Sequence, residues 1–150
     1  MRYGLIIHRD TNVVADVIQE LFVWLLQNPS SVKNIKNLEL YLFKSLKRNL
    51  LRYRADHAHL TNFPLHENPE YLDFTIEDRI IQQETKGQQR KLLYKELNNL
   101  PPKQKEVIYL RYYESLTYEE IADILSTNNQ VVRNYVSRAL TQLRKSLDSY

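Results

Sequence analysis

Residues 116–147, LTYEEIADILSTNNQVVRNYVSRALTQLRKSL, decide the fold. Thr117 followed three residues later by Glu120 has the capping-box pattern, in which each side chain accepts from the other residue's backbone N–H. It opens a short helix ending near Leu125. Thr127 with Gln130 repeats the signal ten residues on and opens a second helix. Ile121, Ile124 and Leu125 form the inner stripe of the first helix. Val132, Val136, Leu140, Leu143 and Leu147 form that of the second, at three- and four-residue steps. Two helices with one stripe each and so short a turn bury both stripes only by crossing steeply, which predicts a helix-turn-helix.

The outer face of the second helix points to a partner. Thr127, Asn128, Asn129, Gln130, Arg133 and Asn134 stand at its start, followed by Ser137, Arg138, Arg144 and Lys145, and no carboxylate occurs from Asn128 to Leu147. The major groove of B-DNA is about 12 Å wide and admits one helix, amino end first. Amide and guanidinium groups there can make the paired hydrogen bonds that tell adenine from guanine. A solvated polar face on a core helix would carry similar residues. The two caps, the tight turn and the acid-free face together favour DNA.

Composition sets the bounds. The chain has 150 residues, enough for one ordinary domain or two small ones, and 43% apolar content makes it globular. Two glycines and five prolines suit long helices. The net charge of +3 is small, so its distribution matters more than its size. Without cysteine there is neither a disulfide framework nor a thiolate metal site. No apolar run approaches the roughly 18 residues that span a bilayer, and no signal peptide opens the chain, so the expected location is the cytoplasm with no membrane insertion.

Upstream, Met1 to Ile7 resembles the tail of a helix, and Asp10-Thr11-Asn12 offers the next start. Val14, Val17, Ile18, Leu21, Phe22 and Leu25 then make a broad inner face that Asn28-Pro29 ends. Opposite lie Asp16, Gln19, Glu20, Val23 and Gln27, with Trp24 at the edge. Outward Val and Trp beside two carboxylates suit docking on a basic partner, and they equally suit an ordinary amphipathic helix. Residues 30–37 read as a polar connection.

Residues 38–55 predict a helix with Leu38, Leu42, Leu46, Leu50 and Tyr53 inside. Outside, Lys44, Lys47, Arg48, Arg52 and Arg54 face a single acid, Glu39, with Leu40, Phe43 and Leu51 interleaved. Cations hold phosphates and rings receive unstacked bases, so this arc suits a single strand. A solvated cationic face has the same composition.

Residues 56–86 differ in kind: seven carboxylates against two cations leave −5, and Pro64 and Pro69 break any early helix. This is the pattern of an acidic linker, turning helical from Ile76. Beyond Gly87, Leu92, Leu93, Leu97 and Leu100 mark a helix that Pro101-Pro102 ends. Val107, Ile108, Leu110 and Tyr112 mark the next. The expected fold is all-α: a helical domain at 1–58, a linker at 59–86 and a helix-turn-helix domain at 87–150.

The residues of an enzyme site are missing from the pattern. His57 and His59 form a His-x-His pair where the linker begins, without helical ligand spacing, and His8 and His66 stand apart. The two glycines stand alone, so there is no phosphate loop. Glu119 and Glu120 are accounted for by capping and the helix dipole. Neither catalysis nor a cofactor or metal is expected.

Residues 107–145, VIYLRYYESLTYEEIADILSTNNQVVRNYVSRALTQLRK, resemble the fourth conserved region of bacterial sigma-70 family factors, in the extracytoplasmic-function (ECF) subfamily. Asp16-Val17-Ile18-Gln19-Glu20-Leu21-Phe22 resembles the DxxQExF run of the second conserved region, and the stretch from Tyr41-Leu42-Phe43-Lys44 resembles the helix that follows it. The resemblance implies a sigma factor that binds core RNA polymerase and directs promoter recognition. Asp16, Gln19, Glu20, Val23 and Trp24 would meet the clamp helices of the largest subunit. Lys44, Lys47, Arg48, Arg52 and Arg54 would engage the −10 element. The helix from Thr127 to Arg138 would read the −35 element as duplex, the acidic linker would thread near the RNA exit channel, and an anti-sigma factor is a partner that the family often has. Against the family pattern the first domain is short at its amino end, and Arg48 stands where Asn is frequent. Two rival readings are a stand-alone helix-turn-helix regulator and a helical adaptor that binds only proteins.

Overall fold

Eight α-helices and one π-helical turn form the regular structure among the described residues, 1–57 and 84–148 (backbone alone over 84–90), of this computed structural model. They are α1 (Arg2–Ile7), α2 (Thr11–Gln27), α3 (Pro29–Lys33), α4 (Leu38–His57), α5 (Glu84–Asn98), α6 (Pro102–Ile108), the π-turn (Tyr109–Tyr113), α7 (Tyr118–Ile124) and α8 (Asn129–Leu147). The fold is all-α.

Local chemistry sets the boundaries. Asp10 caps α2, its carboxylate accepting from the backbone N–H of Asn12 at 2.8 Å and of Val13 at 3.4 Å. At the other end the Asn28 amide donates to the Trp24 carbonyl at 2.8 Å. Residues 30–37, expected as a plain connection, contain the short helix α3. Pro29 stands at its first position, where a missing N–H costs nothing, and Lys33 lies in its last turn.

α1 lies across α2 and α4, and Gly4 sets how close it comes. A Cβ there would collide with Cγ1 of the fully buried Val14 and meet Cδ1 of Leu50 at 3.5 Å. α2 packs along α4. In the carboxy-terminal part α5, α6 and α7 pack on α8, and α4 touches α7. One continuous apolar cluster runs from Tyr3, Val14 and Leu50 through Tyr109 to Val107, Ile121, Val132 and Leu143.

The two parts of the chain meet at Tyr3. Its ring stacks on Tyr109 (centroids 6.3 Å apart) and meets Phe43 edge-on at 5.1 Å. Its hydroxyl donates to Glu106 at 2.8 Å, and Lys47 reaches the same carboxylate oxygen at 2.6 Å. Burial, with the Glu106 carboxylate adding to it, pushes the Tyr3 phenol far above its ordinary range, so it stays a donor. The Lys47 and Glu106 side chains are only 18% and 11% exposed, which makes this a mostly desolvated pair. Lys44 pairs with Asp123 at 2.7 Å in a more exposed setting, and Asn37 reaches Glu120 at 3.4 Å.

Several expected core positions lie outside: Leu38, Leu93 and Leu147, at helix ends or edges, are exposed, and three more lie within the elements. Phe22 is 52% exposed. It instead lines a cleft of about 260 Å³ with Met1, Ile18, Leu42 and Tyr109. Tyr112 is 57% exposed because the π-turn inserts an extra residue, its Glu114 N–H reaching back to the Tyr109 carbonyl at 3.3 Å. Leu140 is 43% exposed; the buried place on α8 is taken by Ala139, whose small side chain admits a neighbouring helix.

Gly4→Ala is expected to lower stability by about 1–3 kcal/mol through overpacking, although alanine favours a helix by about 1 kcal/mol over glycine. Adding Val14→Ala should recover part of the loss. Urea denaturation checks both, and an unchanged midpoint for Gly4→Ala would contradict the close approach.

Candidate nucleic-acid interface

Reciprocal capping places the first helix of the pair. Thr117 Oγ1 accepts from the Glu120 N–H at 3.2 Å, and the Glu120 carboxylate accepts from the Thr117 N–H at 2.8 Å. At its other end Leu125 is the C-cap and Ser126 turns left-handed, with φ of 50°. The Thr127 N–H then bonds the Ala122 carbonyl at 2.9 Å and the Ser126 N–H bonds the Asp123 carbonyl at 3.3 Å. These two bonds define a Schellman corner, with serine where glycine is usual.

Thr127 thus closes α7 through its backbone N–H. The cap of α8 falls one residue later than the Thr127–Gln130 pattern predicts. Asn128 has extended backbone, and its Oδ1 accepts from the Val131 N–H at 2.9 Å. Gln130 is free of capping and donates to Asn134 at 3.0 Å.

The buried side of α8 holds Val132, Val136, Ala139 and Leu143. Its opposite side exposes Asn128, Gln130, Arg133, Asn134, Ser137 and Arg138, with Thr127 exposed just before it. Asn129 is half-buried: its amide donates to Glu119 and its carbonyl accepts from Arg133 Nε at 2.9 Å. The Arg133 guanidinium also lies over the Tyr118 ring, 4.6 Å from its centroid, and Arg111 does the same at 4.6 Å. Arg111 Nη1 donates to the Leu116 carbonyl at 2.7 Å, tying the chain down before α7 begins. The result is a cationic, amide-rich ridge with its leading arginine held at two points.

The expected cations of α4 are not equally free. Lys44 and Lys47 are paired with Asp123 and Glu106, and Arg54 donates to the Ile7 carbonyl at 3.5 Å. Arg48 and Arg52 are exposed. On α2, Asp16, Gln19, Glu20, Val23 and Trp24 are all exposed on one side, and the indole stacks against Tyr41 at 6.2 Å. Asp16, Gln19, Glu20 and Val23 lie away from the Val14, Val17 and Leu21 stripe that meets the core, and Trp24 stands at the border between the two.

Of the histidines, His57 stacks on Tyr53 with Nδ1 against the Tyr53 carbonyl at 2.8 Å. Burial lowers the pKa of His8, partly offset by Asp10. His59, His66 and most of the acidic segment lie outside the described residues. Among the described residues no group of three or more metal-ligating side chains occurs, and no helix is long and apolar enough to cross a membrane.

Sequence reasoning missed Tyr118, Arg111, Glu106 and Asp123. No helical spacing links Tyr118 to Arg133, since the ring and the guanidinium come from different helices and meet only across the corner.

Comparison with known proteins agrees with this architecture. Residues 90–143 match the family model for sigma-70, region 4. RNA polymerase sigma factor SigV of Bacillus subtilis (strain 168) is 26% identical over 136 residues, covering 88% of this chain and 74% of that protein. ECF RNA polymerase sigma factor SigK of Mycobacterium ulcerans (strain Agy99) is 27% identical over 153 residues, covering 98% and 80%. The sigma factor RpoE of Bartonella quintana, solved in complex with the anti-sigma factor NepR, shares the fold with a TM-score of 0.62 at 19% identity, over 97% of this chain and 88% of that one. The carboxy-terminal helices are thus a sigma-type helix-turn-helix. Residues 90–143 are a sigma-70 region 4, and along most of its length the chain is similar to ECF RNA polymerase sigma factors.

Ser126→Gly should raise stability by about 1 kcal/mol, since a left-handed residue with a Cβ costs roughly that much or more. Thr117→Ala should lower it by about 1 kcal/mol through loss of the cap. Shifts of the urea midpoint in opposite directions are expected; a destabilised Ser126→Gly would rule out strain at the corner.

Proposed function

We propose that this chain is the promoter-selecting subunit of a bacterial RNA polymerase, reading duplex with α8 and capturing opened strand with α4. The observation that carries the reading is the outward ridge of α8, rich in amides and arginine and free of carboxylates from Asn128 to Leu147. Thr127, Asn128, Asn129, Gln130, Arg133, Asn134, Ser137 and Arg138 form the −35 face. Arg133 discriminates bases while its neighbours hold phosphate and register. The reading also divides the chain at 1–58, 59–86 and 87–150, and gives it no reaction of its own. It works in the cytoplasm, beside the DNA it selects.

The α2 surface at Asp16, Gln19, Glu20, Val23 and Trp24 docks on the clamp helices of core polymerase. Aromatic and aliphatic contact provides the area, and the carboxylates orient a basic partner. Once docked, neither DNA contact needs to be tight alone, because the second becomes intramolecular. An inhibitory protein partner of the kind seen with the B. quintana factor belongs to the same reading.

Lys44, Lys47, Arg48, Arg52 and Arg54 receive the −10 strand. Two of them start in partnership with carboxylates; strand capture exchanges Asp123 for phosphate at Lys44, while the desolvated Lys47–Glu106 pair keeps α4 against α6. The Lys44–Asp123 pair, at 44% and 49% exposure, is weak and gives way.

Run-off transcription with core polymerase on a promoter library tests the whole reading: selective transcripts are expected, and none would refute it. Arg133→Ala should lose about 1–3 kcal/mol of selectivity at one or two base pairs. Equal weakening on every sequence would argue against base reading there. Asp16→Lys with Glu20→Lys should abolish polymerase co-purification and leave the melting temperature unchanged. Asp123→Asn should raise the affinity of the full chain for single-stranded DNA by about two- to fivefold at low salt. An unchanged affinity in fluorescence anisotropy would exclude the exchange at Lys44.

A further inference from the structure

Arg133 is exposed on α8, and a free arginine on a surface samples many rotamers that binding must then suppress. Here it is held before any DNA arrives. Its Nε donates to Asn129 at 2.9 Å, and its guanidinium lies over the Tyr118 ring at 4.6 Å. Asn129 is itself tied to Glu119, the neighbour of Tyr118 on α7. The anchors therefore come from both helices of the pair. Because Nε is the atom used, the two terminal amino groups of the fork are left for a base edge with two adjacent acceptors.

Tyr118 does more than support one side chain. Arg111 stands over the same ring at 4.6 Å and is fastened to the Leu116 carbonyl at 2.7 Å. Arg111 comes from the π-turn, whose extra residue turns Tyr112 outward. The ring thus meets one cation anchored to the Leu116 carbonyl and one on the exposed face of α8. Neither cation has a carboxylate partner at hydrogen-bond distance among the described residues, so the ring and the Asn129 carbonyl provide the attraction that holds Arg133.

We infer that Tyr118 is a specificity-positioning residue, setting the direction of the Arg133 fork through its ring face rather than touching DNA through its hydroxyl. This rests on the reading of Arg133 as a base-discriminating residue and adds the group that aims it. The hydroxyl is dispensable and the ring is not.

The test uses the full chain bound to core RNA polymerase, selecting from a randomised duplex pool, with Arg133→Ala as the reference. Tyr118→Ala should lose preference at the same one or two base pairs as Arg133→Ala, by about tenfold. Total affinity for the pool should change far less, because phosphate contacts are intact. Tyr118→Phe should keep the preference within about twofold. Tyr118→Leu, which keeps apolar bulk without a ring face, should behave like the alanine variant; circular dichroism melting confirms that it is folded. Retained preference in Tyr118→Leu, or lost preference in Tyr118→Phe, would overturn the inference. If Arg133→Ala itself keeps every preference, base reading at Arg133 fails and the inference falls with it. If only the Tyr118 variants keep theirs, base reading stands and the positioning role alone is refuted.

Discussion

Glu106 is a nearly buried carboxylate answered by two donors from the amino-terminal part of the chain, the Tyr3 hydroxyl and the Lys47 ammonium. Apolar burial is non-directional, so the continuous core from Val14 to Leu143 would tolerate sliding between its two parts. A desolvated charge does not tolerate it, because displacement leaves an unpaired ion in low dielectric. The triad therefore fixes where α6 lies against α1 and α4. The Tyr3 ring, wedged between Phe43 and Tyr109, makes the same junction dense as well as polar.

At the other end of the carboxy-terminal unit the constraint is in the backbone. Ser115 and Ser126 are both left-handed, one before and one after α7. A helix of seven residues has little stability of its own, and its position comes from the capping box at one end and the Schellman corner at the other. The angle at which α8 leaves the corner follows from these few bonds, and so does the meeting of Tyr118 with Arg133. Recognition by such a module depends on a short piece of chain pinned at both ends.

Much of this was legible beforehand, for identifiable reasons. The all-α class, the ends of α2 and the helix-turn-helix follow from caps and from the three- and four-residue spacing of Val132, Val136, Ile121 and Ile124, which act locally. Where the expectation failed, a tertiary fact decided the outcome. Phe22 lines an open cleft between α2, α4 and the π-turn instead of filling it. Ala139 replaces Leu140 because close approach favours a small side chain, and Tyr112 rotates out because a π-turn interrupts an ordinary-looking period. The α8 cap moved one place, to Asn128, whose side-chain oxygen accepts from the Val131 N–H. In the interface, the polar ridge was visible as composition, but its internal bonds were not. Asn129 and Tyr118 converge on Arg133 from two helices, and no one-dimensional spacing encodes that. Lys44 and Lys47 likewise looked available, since their partners stand about 60 or more positions away.

That pairing alters what an ionic-strength titration of DNA binding would count. Duplex and strand release condensed counterions in proportion to the cationic groups newly placed against phosphates. Lys44 arrives already neutralised and leaves the half-exposed Asp123 behind, which gathers cations of its own as the nucleic acid sheds them; Lys47 stays with the buried Glu106. The slope of log affinity against log salt should thus register Arg48 and Arg52 in full, and Lys44 and Lys47 hardly at all. Electrolyte sensitivity would then understate the number of phosphates this protein touches.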